Sequence, residues 1–449
     1  MGAASVQVGP IHRSALVVAL AAGLTLHAPA VDARSVGLIR DAEVEGTLQR
    51  FTAPILDAAG LGPGSVQIYI VNDSQLNAFV AGGMNLFLNT GLLMRTEDPS
   101  QLVGVVAHEV GHIAGGHLSQ VGTPQRKAAA EMILATVLGA ATAVIGAPGL
   151  GTAIIAGGQS YAQAGLMRFS RGQEQAADQA ALTYLDRSGL SARGLAAFFG
   201  ILENQNVLAV SRSNPYLQSH PLTRDRITFV ENHVAGRSDV PLPAGWALAH
   251  DRMVAKLRAF LTEPREVLQT YQDDQSVVGR YARAIAHYRL PDLRQALEDI
   301  DGLLAEHPDD PYFHELKGQM LFENGRVADA IGPYREAVRL APSAPLIRVG
   351  LAQALIESGA PADNHEAIAQ LEEVTRSEPD NAGAWRLLGV ARGRDGLHGK
   401  SDVAFAEYAL RIGKRDDARL YARRAEGKIP PDDPAWLQLQ DILREIEES

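Results

Sequence analysis

The chain has 449 residues, more than a single hydrophobic core usually spans, so we expect two or three domains. Hydrophobic residues make up 46% and charged residues 21%, as in ordinary globular proteins, and the formal net charge of -11 argues against nucleic acid as a partner. The absence of cysteine excludes a structural disulfide, a zinc–thiolate site and a lipid-modified cysteine.

The N-terminal segment has the pattern of a secretory signal peptide. A basic pair, His12-Arg13, precedes an apolar run over 15–26 that is too short to span a bilayer comfortably. Two small-residue cleavage motifs end at Ala30 and Ala33. We therefore expect export to a bacterial periplasm, where disulfides are allowed but not required. The alternative is an uncleaved anchor.

The next segment predicts a helix followed by a small sheet. Periodicity favours a helix over 34–60, and a β-branched run over 66–71 predicts a strand. A Gly82-Gly83 turn then leads to a second short strand, 85–88. The two strands predict a small sheet beside the helix that follows.

That helix carries the HExxH pattern, which reads HEVGH from His108 to His112. Positions four apart lie on one face of an α-helix, about 6 Å apart in rise, so both imidazoles can bind one zinc ion. Glu109 would lie near the metal but not on it, where it can take a proton from a water molecule that the metal activates. The alternative is two solvated or core histidines on a helix.

An uncharged stretch over 132–155 is interrupted by a Pro148-Gly149 break. The break argues against a continuous transmembrane helix and predicts two short apolar helices joined by a turn. These helices would belong either to the core or to an apolar lip that contacts a membrane or an unfolded substrate.

A catalytic zinc site needs a third protein ligand. His117 is one place short of the metzincin position and would point about 140° away from His112 on a continuing helix, so we interpret it as a surface or second-helix histidine. Glu174, in a helical segment over 171–204, is the better candidate. Asp178, on the same face, could accept the N–H of a ligating histidine and fix its tautomer. The alternative is a solvated acidic helix face.

The C-terminal part of the chain is periodic. A linker rich in proline and glycine around 236–247 precedes a helix, and from about position 277 small residues and prolines recur, with Pro308 and Pro342 34 apart. Small residues let the two helices of a tetratricopeptide repeat approach closely, and the proline stops the second helix. The pattern predicts an α-solenoid that ends in a capping helix over 434–447. The alternative is an irregular helical bundle.

Several motifs occur together in the order of a known family. HEVGH, the RGQEQAAD segment around Glu174 and the Ser-His-Pro motif at 219–221 resemble the gluzincin peptidases of the HtpX and CAAX-prenyl type, peptidase family M48. The upstream motifs at 77–79 and 90–93 are also similar to that family.

The resemblance implies one zinc ion and a set of site residues: His108, His112 and Glu174 as ligands, Glu109 as general base, and Asp178 as the carboxylate behind a ligand. For His220 it implies an inhibitory latch, in which the imidazole takes the open position of the metal. The alternative is that His220 donates a hydrogen bond to the oxyanion of the tetrahedral intermediate. Arg226 could stabilise the same charge.

For an exported chain with tetratricopeptide repeats, the resemblance implies a zinc endopeptidase that cleaves misfolded or stalled outer-membrane proteins and assists outer-membrane assembly. The repeats would bind protein substrates or the assembly machinery, and 132–155 would add a peripheral membrane contact. The strand at 85–88 could bind an extended peptide by strand addition. The competing interpretation is a chaperone or scaffold that acts mainly through the repeats, with proteolysis latched or incidental.

We therefore expect a mostly α protein, in which an α+β catalytic domain with a small sheet and the gluzincin fold is followed by an α-solenoid of tetratricopeptide repeats. The expected divisions are a signal peptide (1–33), a zinc metallopeptidase domain (34–235), a linker and connecting helix (236–276) and the solenoid with its capping helix (277–449).

Overall fold

The computed structural model describes residues 36–117, 151–155, 169–207 and 214–448. In these residues the fold is mostly helical with one small sheet, as predicted, and the sheet has five strands. The strands are β1 (Val36–Arg40), β2 (Gln67–Asn72), β3 (Ala78–Ala81), β4 (Asn85–Asn89) and β5 (Gly151–Ile155). The helices of this first region are α1 (Ala42–Ala58), α2 (Thr90–Leu93), α3 (Pro99–Ala114), α4 (Arg171–Ser188), α5 (Arg193–Val207), α6 (Pro215–Ser219) and α7 (Arg224–Ala235).

The sheet has the strand order β3-β4-β2-β1-β5. β2 and β4 are parallel, and the other neighbouring pairs are antiparallel. The predicted strands at 66–71 and 85–88 are confirmed as β2 and β4, whereas β3 was not predicted. The turn between β3 and β4 contains Gly82 and Gly83, whose φ angles of +57° and +94° favour glycine.

The helix predicted over 34–60 is wrong in its first part, because β1 precedes the helix. The helix begins instead at Ala42, where the side chain of Asp41 accepts a hydrogen bond of 2.9 Å from the N–H of Val44 and caps α1. β1 pairs with β2 on one side and with β5 on the other. The local sequence does not indicate that β1 pairs with β2 and β5. The predicted helix was therefore extended over residues that form a strand.

Most of the apolar stretch over 132–155, with the lip and membrane contact predicted for it, lies outside the described residues, as does the signal peptide at 1–33. At the end of the stretch the prediction of a helix is wrong, because Gly151–Ile155 forms β5 and pairs with β1. A short apolar run has the same pattern in a buried helix and a buried strand, so only its partner decides. Among the described residues, none of the helices combines the length and hydrophobicity that crossing a membrane would need.

Two glycines of α3 let neighbouring helices approach it closely. A Cβ added at Gly104 would lie 2.8 Å from the Cα of Leu195 in α5, and one added at Gly111 would lie 2.8 Å from the carbonyl oxygen of Ala177 in α4. Ala177 directly precedes Asp178 and follows Glu174 by three positions. The glycine of HEVGH therefore permits the approach of α4 that brings both carboxylates to the histidines.

The second region consists of helices that pack on their neighbours in chain order. They are α8 (Trp246–Leu261), α9 (Pro264–Thr270), α10 (Val277–Arg289), α11 (Leu293–Glu306), α12 (Pro311–Glu323), α13 (Val327–Leu340), α14 (Pro345–Ser358), α15 (Pro361–Ser377), α16 (Ala382–Arg394), α17 (His398–Arg411), α18 (Arg415–Glu426) and α19 (Pro434–Glu448). The predicted capping helix at 434–447 is confirmed as α19.

The connecting helix α8 belongs to both hydrophobic cores. Trp246, Met253 and Leu257 are buried in the core of the first region. Ala255 and Ala259 are buried with α10, α11 and α12 in the first core of the second region. α8 is thus an integral part of both cores.

Buried charges reinforce this junction. The Nζ of Lys256 lies 2.8 Å from Oδ2 of Asp41 and 3.3 Å from Oε2 of Glu43. The hydroxyl of Tyr281 in α10 donates a hydrogen bond of 2.7 Å to Glu43. The first turn of α1 is therefore tied to the connecting helix and to the repeats.

Candidate metal centre

Four buried side chains that can bind a metal meet beside the C-terminal half of α3. They are His108 and His112 of α3, Glu174 in the first turn of α4, and His220 just after α6, and their ligand atoms all lie within 4.8 Å of one another. The Nε2 atoms of His108 and His112 are 3.1 Å apart. Oε1 of Glu174 lies 3.4 Å from Nε2 of His112 and 3.1 Å from Nδ1 of His220. The structure thus brings together the three predicted ligands and His220.

The spacing of these atoms fits a tetrahedral metal ion. Zinc binds nitrogen and oxygen at about 2.0–2.2 Å, which places the ligand atoms of a tetrahedral site roughly 3.3 Å apart. The neighbouring ligand atoms of the cluster are 3.1 to 3.6 Å apart. Imidazoles and a carboxylate are also donors that divalent transition metals accept. The residues present therefore fit a divalent metal.

Asp178 and Arg226 contact the side chains of the cluster without belonging to it. Oδ1 of Asp178 lies 2.9 Å from Nδ1 of His108, in the position predicted for a carboxylate that fixes a ligand tautomer. Arg226 donates two hydrogen bonds to Asp178, of 2.6 and 2.9 Å, and its Nη1 lies 2.5 Å from Oε2 of Glu174. The guanidinium predicted to stabilise the oxyanion is therefore paired with these two carboxylates and holds them in place.

The buried charges perturb one another. Burial opposes protonation of His108, but its contacts with Asp178 and Glu174 raise its pKa to about 9. Burial lowers the pKa of His112 well below its usual value. Burial alone would raise the pKa of Glu174, but the charge of His220 and hydrogen bonds from the surrounding imidazoles hold it well below its ordinary range. The centre is thus an anionic carboxylate among imidazoles, where a metal cation would compete with protons.

Glu109 is buried beside the cluster, and its carboxylate oxygens have no hydrogen-bond partner among the described residues. Nε2 of His220 lies 3.5 Å from Oε1 of Glu109. Burial raises the pKa of Glu109 above its ordinary value. A buried carboxylate without a partner requires an explanation, and a catalytic role or an ion or water beside it is a common one.

Aromatic rings close the centre. The ring of Phe169 stacks on His112 at 3.9 Å, and the ring of Tyr216 stacks on His220 at 4.6 Å. The N–H of Phe169 also donates a hydrogen bond of 3.1 Å to the carbonyl of Ser219, which joins the two covering segments. His108, His112 and His220 are each 0% exposed. Neither aromatic was predicted, because a single aromatic far along the chain from HEVGH gives no local signal.

His117 does not lie where the sequence analysis placed it. It was interpreted as a surface or second-helix histidine, but it is buried, and its Nδ1 lies 2.9 Å from Nδ1 of His112. α3 ends at Ala114, and the chain reverses through Gly115 and Gly116. The angular argument assumed that the helix continues. The Gly-Gly pair was the signal that it does not.

The predicted strand-addition site at 85–88 is wrong. β4 is an interior strand, paired with β3 on one side and with β2 on the other, so both of its edges are used. β3 is instead the edge strand of the described sheet, and its four residues are buried. Strand order depends on long-range pairing, which the local pattern does not contain.

The family model described as Peptidase family M48 matches residues 42–234, a segment that contains every side chain of the centre. The chain carries a family M48 peptidase domain. The match indicates a metalloprotease, a hydrolase of peptide bonds, and implies a divalent metal, which the buried His and Glu side chains of this centre could bind. A second model, Cytochrome c-type biogenesis protein H TPR domain, matches residues 269–419 and agrees with the predicted tetratricopeptide repeats.

Two named relatives are similar to most of this chain. The chain is 28% identical to the beta-barrel assembly-enhancing protease of Yersinia pestis over 360 residues, which are 78% of this chain and 72% of that protein. It is 25% identical to the protease of the same name from Escherichia coli K12 over 372 residues, 80% of this chain and 74% of that protein. Among solved structures, yeast Tom70 is 14% identical with a TM-score of 0.36, covering 80% of this chain and 85% of that chain.

Proposed function

We propose that the protein is a zinc endopeptidase of the bacterial periplasm that cleaves misfolded or stalled outer-membrane proteins and assists outer-membrane assembly. The observation that supports this most directly is the buried cluster of His108, His112 and Glu174 beside a carboxylate, Glu109, that has no hydrogen-bond partner among the described residues. A general base needs a carboxylate oxygen that is open to a water molecule, and Glu109 meets that requirement.

Each residue has a defined task in this proposal. His108, His112 and Glu174 hold the zinc ion, which when bound polarises a peptide carbonyl and lowers the pKa of water. Asp178 orients His108 through Nδ1, which leaves Nε2 directed at the cluster. Glu109 takes a proton from the attacking water and passes it to the amine of the leaving peptide.

The test is metal content and cleavage in matched variants. Elemental analysis should find one zinc ion per chain, and casein cleavage should be lost with a chelator. Glu109→Gln should keep the zinc and lower cleavage by about 10²-fold or more, because the proton acceptor is removed. Glu231→Gln, which alters an exposed glutamate of α7, should behave as wild type. Retained proteolysis in Glu109→Gln would contradict the assignment.

His220 serves as an inhibitory latch in this proposal. Its Nδ1 lies 3.1 Å from Glu174 and 3.4 Å from Nε2 of His108, so it is the fourth group of the cluster. As a fourth ligand it would take the position that a catalytic water needs. His220→Ala should then raise the rate of casein cleavage at equal zinc content. A lower rate would support the alternative role, donation of a hydrogen bond to the oxyanion.

The substrate class and the location rest on the relatives and on the repeats. The relatives are named for assembly of β-barrels, and helical-repeat solenoids present surfaces to peptides and proteins. An unfolded outer-membrane β-barrel protein should be cleaved by wild type, whereas a folded periplasmic protein should not. Co-purification with outer-membrane assembly factors should depend on the repeats. Cleavage of both proteins without preference would indicate a general degradative protease.

Because the metal centre is buried, a second function is also considered, that of a chaperone or scaffold in which proteolysis is incidental. His108, Glu109 and His220 are each 0% exposed, and the edge strand β3 is buried as well. If the Glu109→Gln variant corrected the outer-membrane defect of a strain that lacks the protein, the repeats would carry the cellular function. If it failed to do so, the proteolytic function would stand.

A further inference from the structure

α3 ends in a Schellman turn immediately after HEVGH. Gly116 has a φ of +61°, the left-handed conformation that such a turn requires. The N–H of Gly116 donates to the carbonyl of Ile113 at 3.0 Å, and the N–H of His117 donates to the carbonyl of His112 at 3.1 Å. This pair of bonds places the side chain two positions beyond the cap against the last turn of the helix. In this protein the turn places the ring of His117 against the ring of His112.

The two glycines serve this placement in different ways. Gly116 supplies the positive φ that reverses the chain. Gly115 leaves room for the ring, because an added Cβ would lie 2.6 Å from Nε2 of His117 and 2.9 Å from its Cε1. The turn thus holds a buried imidazole in a position that any side chain at 115 would disturb.

The contact between the two rings assigns their protons. Nε2 of His112 faces the cluster, 3.1 Å from Nε2 of His108 and 3.4 Å from Glu174. A neutral imidazole that binds a metal through Nε2 carries its proton on Nδ1 and must donate it. The described acceptor is Nδ1 of His117, 2.9 Å away, so His117 carries its own proton on Nε2.

We propose that His117 is a positioning residue that fixes the tautomer and ring orientation of His112 for metal binding, as Asp178 does for His108. This inference rests on the proposed metal site, since it concerns how one of its ligands is presented. The two histidines of HEVGH therefore have different supports. One has a carboxylate brought by α4, and the other has an imidazole brought by the turn that ends α3.

The first test measures zinc affinity of the full chain by competition with a chromophoric chelator. His117→Phe keeps a ring but removes the acceptor, and should weaken zinc binding about 10- to 100-fold. His117→Asn places an acceptor oxygen near the position of Nδ1 and should restore most of the affinity. His365→Phe, which alters an exposed histidine of α15, should match wild type.

The outcomes separate this inference from the proposed function. If wild type binds no zinc, the metal site itself fails. If wild type binds zinc and His117→Phe binds it equally, or if His117→Asn loses as much as His117→Phe, the positioning role is overturned. Equal thermal stability of the metal-free variants shows that a loss of affinity is not a loss of the fold.

A second measurement uses the wild-type protein, so it does not depend on whether a variant at position 117 folds. Long-range ¹H–¹⁵N correlation of the zinc-loaded wild type with ¹⁵N-labelled histidine distinguishes Nδ1–H from Nε2–H tautomers. We expect Nδ1–H for His112 and Nε2–H for His117, assigned by single His→Gln replacements of exposed histidines. An Nδ1–H tautomer for His117 would overturn the proposal, because that ring would then donate where it must accept.

Discussion

The peptidase region and the repeat region are held together by different interactions. Around the metal centre, charged groups from distant segments are fully buried, as in the pair of Asp178 and Arg226, which are 48 positions apart. In the repeats the buried apolar residues are mostly alanines and leucines from consecutive helices. The difference implies that the centre depends on a few irreplaceable partners, whereas the repeats spread their stability over many small contacts.

Removing the cation behind the centre should produce the largest effect. Arg226→Met leaves two buried carboxylates, Asp178 and Glu174, without their guanidinium, and should lower the free energy of unfolding by about 3–5 kcal/mol. Denaturant titration of the metal-free protein measures it. Arg237→Met is the matched control, because it breaks a half-exposed pair with Asp186 and should cost about 0–1 kcal/mol. Equal losses in the two variants would contradict the view that the buried partners at the centre are irreplaceable.

Overpacking a repeat should produce an intermediate effect. A Cβ at Gly318 in α12 would lie 2.9 Å from ring carbons of Tyr334 in α13, so Gly318→Ala should lower the free energy of unfolding by about 1–3 kcal/mol. Gly332→Ala is the control, because a Cβ there meets nothing within 4 Å and should stabilise α13 by about 0.5–1 kcal/mol. A loss above the one measured for Arg226→Met would contradict the view that repeat contacts are individually small.

The smallest expected effect is a pH dependence within the repeats, because Glu323 is only half-buried and solvent screens its carboxylate. Burial raises the pKa of Glu323 to about 7, whereas an unfolded glutamate titrates near 4.3. Between these values the folded state binds more protons than the unfolded state, so this carboxyl makes stability fall as pH rises from about 4.3 to 7. Glu323→Gln should flatten that fall, measured as the free energy of unfolding at pH 5, 6 and 7. The exposed Glu357→Gln should leave it unchanged, and an unchanged slope in Glu323→Gln would exclude this carboxyl as the source.

Much of the centre could be predicted because its parts follow helical spacing. HEVGH places two histidines on one face of α3, and the spacing of Glu174 and Asp178 places two carboxylates on one face of α4. His220 was predicted as a site residue only from the family resemblance, because a histidine before a proline has no spacing that points to a metal. The contacts of Arg226 with Asp178 and Glu174 depend on how α7 packs, which no local pattern indicates.

By itself, the sequence determined most of the helical segments, the small residues that let helices approach and the period of the repeats, because spacing and side-chain size act over a few residues. The return of His117 onto His112 depends on the local turn at Gly115 and Gly116. Only the tertiary structure decided the strand order, the burial of β3 and the pairing of β1 with β5. Those features depend on which surfaces meet, and residues that are far apart in the chain contribute jointly to each of them.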